Sequence, residues 1–198
     1  MKILKKLLVI STLSFTLVGF GTAAGAATQT HVVQKGDTFW NIGSKYGVSV
    51  LKLMKQNNKT ISLLYPGEKL VIPTTTLTAA DKDLLARLVS AEAKGESYAG
   101  KVAVATVILN RVNHPDFPNT VSEVIYQIDQ GYYAFTPVKN GTINQAADEE
   151  SKRAVDEALA FQGQGQGSLY FYNPQTAASD WVFSRETTIT IGNHRFAK

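Results

Sequence analysis

Leu84-Leu85-Ala86-Arg87-Leu88-Val89-Ser90-Ala91-Glu92-Ala93-Lys94-Gly95-Glu96, with the apolar run Val102–Val112 behind it, is the stretch around which the chain is organised. At helical spacing Leu85, Leu88, Val89 and Glu92 fall on one face, because residues three and four apart are neighbours on a helix. An apolar stripe that closes on a carboxylate has two readings. One is a solvated or hydrogen-bonded structural acid. The other is catalytic: a carboxyl beside leucines is poorly hydrated, so its neutral form is favoured, which a general acid needs at neutral pH. Gly95 reads as a helix stop, and Glu96 and Ser97 as the cap of the next helix. That helix carries Val102, Ala103, Val104, Ala105, Val107, Ile108, Leu109 and Val112. It is apolar on nearly every side and belongs inside a bundle.

The 198 residues are enough for one ordinary domain or two small ones. Residues 1–27 read as a secretory signal: Lys2, Lys5 and Lys6, then the mostly apolar Leu7–Phe20, then small residues at Ala24-Gly25-Ala26. The apolar core falls short of the ~20 residues of a membrane span, so a cleaved leader with no lasting membrane insertion is expected. Three of the four excess positive charges lie in that leader. The high pI therefore implies no nucleic-acid partner, and no basic stripe supports one. The chain has no cysteine, which removes disulfide scaffolds and thiol nucleophiles alike. His31, His114 and His194 are far apart and do not make a zinc helix, so no metal and no cofactor is expected.

Two domains are expected, giving an α+β chain. Residues 30–73 read as β-α-α-β. A strand at Val32-Val33 meets a turn at Lys35–Thr38, where Asp37 or Thr38 caps a helix over Phe39–Tyr46. Gly47 ends that helix, and a second runs from Val50 to about Asn57. The turn Tyr65-Pro66-Gly67-Glu68 leads to a strand over Lys69–Ile72. A short polar linker, 74–77, keeps the next domain close. In 78–198, Thr78 with Asp81 starts the helix that ends at Glu92. Thr120 and Glu123 form a capping box for a helix with Val121, Val124, Ile125 and Ile128 inward. Gly131–Asn144 has no period. A fourth helix spans about Asp148–Phe161. Ser168–Tyr172 and Thr187–Ile191 read as strands of a small C-terminal sheet, flanking a loop with Trp181.

His31-Val-Val-Gln-Lys-Gly-Asp-Thr-Phe-Trp-Asn-Ile42, Tyr46-Gly47-Val48, Asn57 and Tyr65–Ile72 together resemble a LysM module over the whole segment. The resemblance implies binding of the N-acetylglucosamine backbone of peptidoglycan or chitin. Its groove would be formed by Gly36, Asp37, Thr38 and Phe39 with Lys59, Thr60 and Ile61. Phe39 stands where the family more often has leucine. Gly36, Asp37 and Thr38 also make the turn itself.

The second half resembles the SleB/CwlJ-type spore-cortex-lytic cell-wall hydrolases over about 120 residues, a full domain in size. The matching residues are Ala91–Glu96, Gly100–Ala105, Ile108–Val112, Tyr170–Pro174 and Ile191–Phe196. This implies a lysozyme- or lytic-transglycosylase-like fold, with Glu92 as the catalytic acid. With the leader it implies a secreted protein associated with the cell wall or spore envelope, whose partner is the GlcNAc/MurNAc glycan strand. Substrate contacts would come from Glu96, Phe135, Tyr170, Tyr172 and Asn173, although strand packing explains the tyrosines equally well. Ala134-Phe135-Thr136 departs from a common Gln-Phe-Ser in the family, which leaves one polar contact absent. His194 reads as a hydrogen-bonded strand residue.

Ordinary glycosidases use two carboxylates, whereas a lytic transglycosylase manages with one glutamate. Glu92 alone fits the buried-acid pattern, which favours the transglycosylase. Glu96, Asp129 or Glu186, brought near by folding, would restore hydrolysis to a muramidase or glucosaminidase. A non-catalytic wall-binding protein is the third reading. An amidase or peptidase would call for a metal or a cysteine that the chain does not offer.

Overall fold

The computed structural model describes residues 29–75, 77–177 and 179–198; the expected leader lies outside them. In the first domain β1 (Thr30–Val32) pairs antiparallel with β2 (Lys69–Val71), His31 opposite Leu70. Helix α1 (Phe39–Tyr46) starts at a reciprocal box. Thr38 Oγ1 accepts from the Asn41 amide at 3.1 Å, and Asn41 Oδ1 accepts from the Thr38 amide at 2.8 Å. Each bond satisfies a donor that the first helical turn leaves open. Gly47, at φ 59°, ends α1 in the left-handed conformation, and α2 (Val50–Gln56) follows. Val33, Phe39, Ile42, Val48, Leu53, Leu70 and Ile72 form the core. Phe39 is therefore an interior residue. It does not face a sugar groove, because the first position of a helix laid over this small sheet must fill the core.

The second domain is built on α3 (Ala79–Glu92) and α4 (Tyr98–Val112), capped by Thr78 with Asp81 and by Ser97 respectively. Leu85, Leu88 and Val89 of α3 and Val104, Val107 and Ile108 of α4 are inaccessible to solvent. Each such side chain contributes about 1.5–3 kcal/mol of hydrophobic stabilisation. Helix α7 (Glu149–Phe161) packs against both, burying Ala154, Val155, Ala158 and Leu159. Helix α5 covers only Val121–Ile125. Ile128, expected on its inner face, lies exposed in β3 (Ile128–Asp129), which pairs with β4 (Tyr132–Tyr133). The two-residue turn Gln130-Gly131, at φ 49° and 84°, explains the difference. A tight hairpin turn with positive φ at both positions overrides a helical spacing. Helix α6 (Thr136–Asn140) and a single 3-10 turn, Thr142–Asn144, occupy the stretch that lacks a period.

The C-terminal sheet has three strands, in the order β5 (Tyr170–Tyr172), β7 (His194–Ala197), β6 (Thr187–Ile191). The two expected strands are thus separated by a third. The Trp181 loop contains a short helix, α8 (Asp180–Phe183). The domains touch along α1 and α7. Trp40 meets Phe161 edge-on at 6.1 Å, and Ser49 Oγ donates to the Gln162 carbonyl at 2.9 Å. No helix among the described residues is long and apolar enough to cross a membrane.

Candidate active site

Helix α3 runs its apolar face into the core and ends on Glu92, whose side chain comes out at the wall of a cavity of about 440 Å³. Arg87, Ser90 and Ala91 of the same helix line it, as do Lys101, Thr136, Pro137, Gln145 and Asp148. The Glu92 carboxyl makes no hydrogen bond or ion pair among the described residues. Burial alone pushes its pKa up to about 7. Desolvation penalises the carboxylate, and no donor offsets the penalty. At neutral pH a large share of Glu92 therefore carries its proton, facing an open volume.

A second carboxylate on the cavity wall, Asp148, is held in the opposite state. Asp148 caps α7: Oδ1 accepts from the Ser151 amide at 2.6 Å. Its Oδ2 accepts from Ser90 Oγ at 3.0 Å, and Lys101 Nζ lies 3.3 Å from each oxygen. Lys101 also donates to Glu150 at 2.9 Å. Desolvation works against the charge, but the donation from Ser151, Ser90 and Lys101 outweighs it and lowers the Asp148 pKa to about 2. The carboxylate has about four lone-pair sites, and these four contacts fill them. Asp148 is therefore a permanently charged brace between α3, α4 and α7. Asp148→Ala should cost about 0.5–2 kcal/mol through the lost cap, to be read by urea denaturation. Asp148→Asn should retain most of that cap.

The remaining expected site residues lie elsewhere. Glu96 does not cap α4, a role taken by Ser97 alone. Its carboxylate accepts from the Asn193 amide at 3.3 Å and from Asn193 Nδ2 at 3.1 Å. It thereby clasps the β6–β7 turn, where a Cβ on Gly192 would collide with it. Phe135 is buried against Phe171, with ring centroids 6.4 Å apart. Tyr172 is buried against Phe183. Both were expected to touch sugar; packing of the sheet onto the helices turns them inward instead. Asn173 Oδ1 accepts from the Gln175 amide at 2.9 Å, stabilising a turn. Tyr170 is half-buried beside Trp181. None of these residues lines the Glu92 cavity. Asp129 is exposed on β3, and Glu186 pairs with Lys198 at 3.4 Å.

In the first domain Asp37 Oδ2 is bonded to the Gln34 amide at 2.7 Å and to His31 Nε2 at 2.8 Å. Thr38 is used as the cap of α1, and Lys59 pairs with Glu68. Gly36, at φ 93° and with open space around it, is exposed, as are Thr60 and Ile61. Sequence reasoning missed Asp148 as a cavity residue, although it begins a helix. It also missed Lys101, whose signal was a charge near the start of a largely apolar helix.

Comparison with known proteins agrees with this architecture. The cell wall hydrolase family matches residues 95–197, a little over half of the chain, and the LysM domain matches residues 31–73. Glu92 stands just ahead of the first of these matches. A spore cortex-lytic enzyme of Halalkalibacterium halodurans is 47% identical over 116 residues, covering 59% of this chain and 34% of that protein. The spore cortex-lytic enzyme of Bacillus cereus is 44% identical over 118 residues, covering 60% of this chain and 44% of its own length. The chain thus spans less than half the length of these relatives. The solved catalytic domain of the germination-specific lytic transglycosylase SleB from Bacillus anthracis superposes with a TM-score of 0.58 at 40% identity. That match covers 64% of this chain and all of the solved domain.

Proposed function

The chain belongs to the cell wall hydrolase family, with a LysM domain in front, and from that premise we propose that it cuts the MurNAc–GlcNAc backbone of peptidoglycan as a lytic transglycosylase. The observation that carries the reading is the Glu92 carboxyl: unpartnered, desolvated and poised near pH 7 on the wall of an open cavity. Protonated Glu92 gives its proton to the bridging oxygen as the muramic sugar gains oxocarbenium character. The resulting carboxylate then takes the proton of the muramic 6-hydroxyl, whose oxygen attacks the anomeric carbon and closes a 1,6-anhydro ring. One residue serves as acid and then as base, with a pKa close to the working pH, as general catalysis favours.

A hydrolase would need a second free carboxylate, to activate water or to attack the sugar. Asp148 shares the cavity, but its oxygens are filled by Ser151, Ser90 and Lys101. This favours the single-acid route. In this proposal the LysM domain, braced against α7, holds the same polymer through its N-acetylglucosamine units, so the protein acts in the wall or the spore envelope after export. Digestion of purified peptidoglycan, with borohydride treatment and mass spectrometry of the fragments, tests the reaction. Anhydro-muramyl ends are expected. Reducible muramic ends would indicate a muramidase, and reducible glucosamine ends a cut at the other linkage. Asp148→Asn should alter the yield of fragments by less than about tenfold, because a filled carboxylate is not a catalytic group. A loss of a hundredfold or more would restore a two-carboxylate mechanism.

A further inference from the structure

A cationic and aromatic face that the mechanism above does not use is built around Arg111 and Arg185. Arg111, on α4, is 9% exposed. Its guanidinium carbon lies 5.0 Å from the ring centroid of Phe117, 5.4 Å from Phe135 and 5.5 Å from Tyr170. Its Nε donates to the Leu169 carbonyl at 2.7 Å. Its other nitrogens have no acceptor among the described residues. Arg185 approaches the same tyrosine, at 5.2 Å, and covers the half-exposed Trp181 at 4.0 Å. Its buried Nε has no partner among the described residues. Neighbouring acids point elsewhere: Glu186 to Lys198 at 3.4 Å and Asp116 towards His114 at 3.7 Å. Phe135, under Arg111, is followed directly by Thr136 and Pro137 of the cavity wall.

Two guanidinium groups converging on one tyrosine, one of them nearly buried and neither paired with a carboxylate among the described residues, are an uncompensated arrangement. Buried charges are ordinarily paired. Stacking on aromatic rings offsets part of the cost. Burial has already pushed the Arg111 pKa down to about 10, with only Tyr170 opposing it. Arg111 nevertheless stays charged at neutral pH, and its planar fork matches a carboxylate.

We propose that Arg111, Arg185, Tyr170 and Trp181 form a subsite for a carboxylate, which on the peptidoglycan reading belongs to the peptide stem of the strand held at Glu92. The backbone sugars cannot supply that charge, since the acetamido groups are neutral and the lactyl carboxyl is consumed in the amide link to the peptide. The free carboxylates of the stem remain. The exposed Trp181 face gives the apolar part of the peptide a surface, while the guanidinium groups take its charge. The inference rests on the glycan reading and adds to it a preference for strands with acidic stems.

The test compares three soluble glycan oligomers with the full chain: stems with free carboxylates, the same stems amidated, and stems removed. The wild-type protein should show a kcat/KM at least about tenfold higher for the free carboxylates than for the amidated form, the value of one charge-assisted contact. Arg185→Gln should erase that ratio, and Trp181→Ala should reduce it. A wild-type ratio of one, or an Arg185→Gln variant that loses activity equally on all three oligomers, would overturn the subsite. Binding separates this from the catalytic reading. The free stem tetrapeptide should quench Trp181 fluorescence, its amidated form about tenfold more weakly, with Trp181→Phe as the blank. If no oligomer is cut but the peptides still differ, the glycan reading fails and the subsite stands. If the peptides bind alike, the subsite fails regardless of cleavage.

Discussion

Glu92→Gln should abolish release of glycan fragments while leaving the protein bound to insoluble wall. The amide fills the same space, but it neither donates an acidic proton to the bridging oxygen nor accepts one from the 6-hydroxyl. Positioned general acid–base catalysis is worth about 10²–10⁴-fold, and in the proposed mechanism Glu92 supplies both halves of it, so the upper end of that range is expected. Binding is retained because the LysM domain has its own core and its own exposed loops. Turbidity loss of a wall suspension and a pull-down with the same material read the two properties separately. Unchanged lysis would dismiss Glu92 as the acid.

The same substitution should stabilise the fold at alkaline pH. The Glu92 pKa is raised from 4.5 to about 7 on folding, so the native state tolerates the neutral carboxyl and resists the charged one. Below pH 4.5 both native and unfolded chains are protonated, and no penalty exists. Between pH 4.5 and about 7 the unfolded chain ionises first, so stability falls as pH rises; above about 7 the loss is complete. At 1.36 kcal/mol per unit of pKa, the penalty is on the order of 3 kcal/mol. Glutamine never ionises, so urea denaturation should find Glu92→Gln more stable than the wild type at pH 8, by up to that amount. The gap should shrink steadily towards pH 4.5. Activity and stability thus oppose one another at this one position. A variant equally or less stable at pH 8 would mean that the carboxylate is well solvated or paired.

The main helices were legible because their ends carry local chemistry. Thr78 with Asp81 and Ser97 and Gly95 at the break mark where the chain must start or stop. The stripe from Leu85 to Glu92 likewise places the acid on the buried face without knowledge of any partner. What could not be read depends on residues distant in sequence. Glu96 is explained by Asn193 and His194, about a hundred residues on, and the place of Asp148 in the cavity by Lys101 and Ser90. Phe135 and Tyr172 look like sugar platforms until the sheet folds over the helices and covers them. Ile128 continues a helical period that the positive-φ turn at Gln130 and Gly131 breaks. Strand β7 was hidden between the two strands that composition made visible.

A site-resolved titration of the Glu92 carboxyl carbon by NMR, in the full chain without substrate, addresses the proton on which the proposed cleavage depends. A midpoint near pH 7, absent from the spectrum of Glu92→Gln, is the expected result. A midpoint near the ordinary 4.5 would mean a hydrated carboxylate with no proton to give at neutral pH, and the single-acid mechanism would not stand.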